Sequence, residues 1–106
     1  MTGECSCLQV PFASLVLERE LGMDDIFGEV SLWRCTACGR PWLHYHYELE
    51  AFMGSGRWFL GPIWEEAAAR LTAEAARATL EELPWYYSGG SYFDGAQGAT
   101  SGPLAV

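Results

Sequence analysis

Residues 33–48 read WRCTACGRPWLHYHYE. Two spacer residues separate Cys35 from Cys38, and Gly39 follows, free to take a positive φ that turns backbone amides toward sulfur. A tight turn of this form presents two thiolates at one corner of a tetrahedron. Beyond it WLHYHYELE alternates, with Leu43, Tyr45, Tyr47 and Leu49 on one side and His44, His46, Glu48 and Glu50 on the other. That is the pattern of a half-buried antiparallel strand. SLWRC leads into the turn, MGSG at 53–56 supplies the next reversal, and RWFLGPI reads as another strand, so residues 30–61 predict a meander of about three strands.

Downstream, Pro62 suits the first turn of a helix, Glu65 and Glu66 suit its positive end, and Pro84 stops it after Leu83. Glu66, Arg70, Glu74, Arg77 and Glu81 fall at opposite-charge spacings of three or four residues and predict a solvated side. Trp64, Ala68, Leu71, Ala75 and Ala78, flanked by Leu80 and Leu83, predict the side that lies on the sheet. Upstream, the apolar run LQVPFASLVLERELG fits either a buried strand or a short helix, an irregular start with a helical turn or two being preferred, and Asp24 and Asp25 suit a turn. The fold class expected is therefore α+β: a small antiparallel meander with a four-cysteine zinc knuckle, one long C-terminal helix packed on the sheet, and an aromatic hairpin or loop after it. Residues 1–94 form the single zinc-stapled domain in this reading, and 95–106 a flexible Gly-rich tail.

The chain has 4 cysteines, in two close pairs: Cys5 with Cys7, and Cys35 with Cys38. CTACGRPW resembles the knuckle of zinc-ribbon and rubredoxin-like domains, in which Cys-x-x-Cys-Gly closes a hairpin and a second cysteine pair completes the site. The resemblance covers residues 35–42 and implies that Cys35 and Cys38 are metal ligands and Gly39 the turn residue. Cys5 and Cys7, with one spacer where the family has two, are expected to complete a structural Zn2+ site. Iron in the same cage is the alternative, as in a rubredoxin-like electron-transfer protein. Two other readings of the thiols are an inert buried cysteine and a redox dithiol; the latter ordinarily opens a helix in a βαβ setting, whereas here a strand follows. Four sulfur ligands would leave no open position for catalysis, so the site is read as a staple.

His44, His46 and Glu48 share one face, successive side chains about 7 Å apart. They are candidates for a second metal of a metal-dependent enzyme, or for ligands replacing Cys5 or Cys7; the plain alternative is a solvated sheet face. Trp85, Tyr86, Tyr87, Tyr92 and Phe93 are candidates for binding a partner, since aromatic residues are enriched in interface cores; the alternative is that they cap the open end of the core. No catalytic residue is assigned. Gly54-Ser55-Gly56 lacks the third glycine and the Lys-Ser/Thr pair of a phosphate cradle, and no serine occupies a G-x-S-x-G elbow.

The formal net charge is −8, from 14 acidic against 6 basic residues, and every basic residue is arginine. Such a balance opposes nucleic acid and anionic membranes and favours a protein partner with a basic surface. MTGECSCLQV has neither the basic region nor the apolar run of a secretory signal, and no stretch approaches the ~18 apolar residues of a membrane span, so a cytoplasmic location is expected. The function expected is a non-catalytic, acidic, zinc-binding adaptor or inhibitor acting through protein–protein interaction. In size and acidity the chain resembles small bacterial immunity proteins.

Overall fold

The computed structural model describes residues 15–47, 57–90 and 97–102. Within these residues six strands, β1 (Leu15–Met23), β2 (Glu29–Cys35), β3 (Pro41–Tyr47), β4 (Arg57–Pro62), β5 (Tyr86–Gly90) and β6 (Gln97–Thr100), form one antiparallel sheet in sequence order. Two short helices, α1 (Glu65–Arg70) and α2 (Ala76–Glu82), join β4 to β5. The three strands expected between residues 30 and 61 are β2, β3 and β4, with Trp33 opposite Trp42 and Tyr45 opposite Phe59.

The long C-terminal helix is not formed, and this overturns the expected fold class. Leu71 leaves α1 with ψ 134°, and Thr72 restarts the chain, its carbonyl and Oγ1 each accepting the Ala75 N–H at 3.2 Å. The reason is tertiary. Ala68 and Leu71 are buried, and so are Ala73, Ala76 and Leu80. On one straight helix, at about 100° per residue, these two groups would face directions about 140° apart. The break lets both meet the same sheet face, a gain that outweighs a few lost helical bonds. The stripe read from the sequence is correspondingly divided: Ala68 and Leu71 pack inward, whereas Ala75 and Ala78 are exposed and Trp64 is 79% exposed.

Of the upstream segment, residues 8–14 lie outside the described residues, and Leu15–Met23 form strand β1, the strand reading rather than the preferred helical one. Its alternation is hidden because register shifts between Leu17 and Arg19 and between Glu20 and Gly22 interrupt the pairing with β2. The aromatic segment after Pro84 enters the sheet as β5, with Ser88, Gly89 and Gly90 inside the strand, and β6 pairs with it within the segment assigned to the Gly-rich tail.

One sheet face carries the main core: Val30, Leu32, Leu43, Tyr45, Phe59 and Tyr86 meet Ile63, Ala68, Leu71, Ala73, Ala76 and Leu80. The turn from β1 to β2 is fastened to it by a buried carboxylate. Asp24 Oδ1 accepts the N–H groups of Gly28 (2.8 Å) and Ile26 (3.1 Å), and Oδ2 accepts Tyr45 O–H (2.7 Å) and Arg77 Nε–H (2.9 Å). Burial pushes the Asp24 pKa up, but the bonds from Tyr45, Gly28 and Ile26 and the Arg77 charge outweigh it, so the group titrates below its ordinary value. A Cβ at Gly28 would overlap the Tyr45 ring, so the turn admits only glycine there.

Candidate functional site

The knuckle forms between β2 and β3. The Cys35 carbonyl accepts the Gly39 N–H at 2.9 Å, and the Cys35 N–H donates to the Arg40 carbonyl at 3.0 Å, which closes the turn. Gly39 takes φ +80°, the conformation that its position after Cys38 predicts. The Cys35 sulfur accepts N–H groups from Ala37 (3.3 Å) and Cys38 (3.4 Å). Amide donors of this kind stabilise negative charge on a sulfur, while the burial of Cys35 opposes it. Cys35 is buried and Cys38 exposed. Cys5 and Cys7 lie outside the described residues. Among the described residues no group of three or more His, Cys, Asp or Glu side chains is placed to hold a metal ion.

Arg34 ties the knuckle to its surroundings. Its guanidinium pairs with Glu18 of β1, donates to Glu65 of α1 at 2.7 Å and to the Gly39 carbonyl at 2.7 Å. Both carboxylates titrate below their ordinary value, first because of their hydrogen bonds from Arg34.

The second sheet face is packed rather than solvated. Cys35, Trp42 and Leu60 are buried there, with Leu15, Trp33, Trp58, Trp85 and Tyr87 packed around them. Trp85 and Tyr87 lie against Trp42, with ring centroids 6.2 Å away in each case. Tyr86 points the other way: it is 1% exposed in the main core, edge-on to Phe59, and its hydroxyl donates to the Gly102 carbonyl at 2.8 Å. Tyr92 and Phe93 lie outside the described residues. Of the described candidate aromatics, Trp85 and Tyr87 thus lie on one face and Tyr86 on the other. The alternation along β3 was legible, but the sequence reading did not find the role of Trp42, whose place one residue before Leu43 puts it on the histidine side.

His44 and His46 lie on this second face, opposite Ser31 and Glu29 of β2 and Leu60 and Trp58 of β4, while Glu48 lies outside the described residues. His44 stands edge-on to Trp33, centroids 6.1 Å apart, and Trp33 Nε1–H donates to Ser31 Oγ at 2.8 Å. Burial, helped by the nearby His46, pushes the His44 pKa down to about 4. The folded imidazole is therefore neutral at pH 7, with an unshared nitrogen pair available to a metal or a hydrogen bond.

No protein-family model, curated protein or solved structure matches the chain. Function is therefore argued from the site's own chemistry.

A pH dependence follows from His44. Its folded pKa, about 4, lies below the ~6.5 of an unfolded histidine. The unfolded chain thus takes up the proton first, and the contribution is complete above pH ~6.5 and lost as pH falls toward 4. The expected loss is up to about 3 kcal/mol, which urea unfolding at both ends of the window will measure. An imidazole NMR titration of the folded protein with a midpoint near 6.5 would remove the effect.

Proposed function

We propose that the chain is a non-catalytic metal-stapled protein that acts by binding another protein. The staple is a zinc ion held by Cys35 and Cys38 together with Cys5 and Cys7, iron being the alternative metal. The observation that carries this reading is the knuckle itself: two backbone N–H groups donate to the Cys35 sulfur and Gly39 closes the turn at φ +80°. An uncharged thiol has little use for two amide donors, whereas a metal-bound thiolate is stabilised by them. A closed set of four sulfurs holds its metal without an open position for a reacting water, so the metal's role is in folding.

The partner reading rests on charge. Arg34 and Arg77 spend their charge on Glu18, Glu65, Asp24 and Asp25. The exposed Glu20, Glu29, Glu66, Glu74 and Glu82 then leave the surface strongly acidic, which steers a basic protein partner toward it. Adaptors and inhibitors of basic proteins, immunity-like ones included, fit this description. Among the described residues no helix is long and apolar enough to cross a membrane, and a reducing cytoplasm is the compartment that keeps four thiols available to metal.

Native mass spectrometry with elemental analysis tests the staple. One zinc per chain, released only as the protein unfolds, is the expected result. One iron with the red colour of a ferric tetrathiolate would keep the ligand set and move the function to electron transfer, and a metal-free protein would overturn the proposal.

A further inference from the structure

Beside the knuckle a cleft of about 200 Å³ opens between the end of β4 and the end of α2. Pro62, Trp64, Leu83, Pro84 and Trp85 line it, and Arg40 supplies its one cation among the described residues. Two of the lining residues are prolines, with φ fixed by the ring, and the Ile63 N–H donates to the Pro41 carbonyl at 3.0 Å, tying the segment that carries Trp64 to the start of β3. Trp64 is 79% exposed. A tryptophan left in water at the mouth of an apolar cleft is the kind of residue that anchors a bound chain.

Charge decides what the cleft takes. Arg34 already holds Glu18 and Glu65, and the same guanidinium bonds the Gly39 carbonyl next to Arg40. Arg40 itself makes no side-chain ion pair or hydrogen bond among the described residues, although the chain carries 14 acidic side chains. Among the described residues no carboxylate lines the cleft. An occupant must therefore bring an anion and an apolar group together. The volume lies below the ~300 to 1,000 Å³ of small-molecule sites, so the two groups must also lie close. The last residue of a polypeptide meets both conditions, because one Cα bears its side chain and the terminal carboxylate.

We propose that this cleft binds the free C-terminus of a partner protein that ends in an apolar residue, with the side chain against Trp64, Leu83 and Trp85 and the carboxylate on Arg40. The cleft's lining contains none of the cysteines proposed to hold metal, so the peptide titration and the metal analysis test different claims. An arginine fork pairs with a carboxylate through two parallel hydrogen bonds, which gives the contact both strength and direction.

The test is an NMR titration of the full chain with acetylated tetrapeptides that end in leucine, valine or phenylalanine with a free carboxylate, each alongside its C-terminal amide. The indole N–H signals of Trp64 and Trp85 are expected to shift with the free acids, and amidation or Arg40→Gln to weaken binding by at least ~10-fold, about 1.4 kcal/mol. Arg70→Gln, an exposed arginine outside the cleft, is expected to leave the affinity unchanged. Equal affinity for acid and amide, or no shift of either indole with any of these peptides, overturns the proposal. So does a saturating shift with phenylpropionate that no peptide reproduces, which would make the cleft a small-molecule site.

Discussion

Replacing Asp24 with alanine is expected to cost about 3–5 kcal/mol of stability, the loss seen when one partner of a buried ionic network is removed. The Asp24 side chain is 1% exposed, and four donors converge on it. Its removal strands the Tyr45 hydroxyl and the Gly28 amide in the interior, at about 1–3 kcal/mol for each buried group left without a partner. It also frees the turn between β1 and β2 from α2. A domain of this size has only about 5–15 kcal/mol in total, so the melting temperature should fall by roughly 15 °C or more. Asp25→Ala is the control: Arg77 bonds this carboxylate too, at 2.6 Å, but its side chain is 75% exposed, and such a pair is worth ~1 kcal/mol or less. Equal melting temperatures for the two variants in a thermal scan would show that the network carries no special weight.

The second large effect is expected at Cys38. A structural zinc site contributes about 10–16 kcal/mol of binding free energy in small zinc-dependent folds, comparable with the whole stability of an ordinary domain. In the proposed site Cys38→Ser would remove one ligand and with it most of that term. The variant should unfold at growth temperature, or melt far below the wild type, and a chelator should do the same to the wild type alone. Circular dichroism melts of both proteins, with and without chelator, give the answer. An unchanged melting temperature in Cys38→Ser would mean that the knuckle holds its shape through backbone bonds and not through metal.

The parts of this fold that were legible in the sequence are those whose cause is local. The turn at Cys35–Gly39 follows from spacing and from glycine, and β3 from the alternation of Leu43, Tyr45 and Tyr47 with His44 and His46. The helix break was not legible, because Ala and Glu around Leu71 favour helix throughout and the break is made by where Ala73, Ala76 and Leu80 must point. Strand β1 was one of two readings that its apolar run allowed, and the alternation that would have decided between them is broken by two register shifts with β2. Strand β6 escaped detection because Gln97-Gly98-Ala99-Thr100 contains little that marks a strand, and its place comes from pairing with β5. The candidate site divides in the same way. Cysteine spacing pointed to the knuckle, whereas the packed aromatic face needed the register of β3 against β4 and β5, and the cleft at Arg40 needed the ends of β4 and α2 to be placed side by side.

The sheet order repeats the order of synthesis. Every strand pairs with the one made just before it and, when there is one, the one made just after. Loop closure is therefore cheap at each step, and the growing sheet never waits for a distant segment to find a slot in its middle. A nascent chain emerging from the ribosome can add β-strands one at a time to a finished edge, with the helices arriving to cover four strands already laid down. For an all-neighbour sheet the folding speed should be set by its turns, and the slowest of these to organise would be the one that needs a tyrosine from β3 and an arginine from α2 before its carboxylate is satisfied.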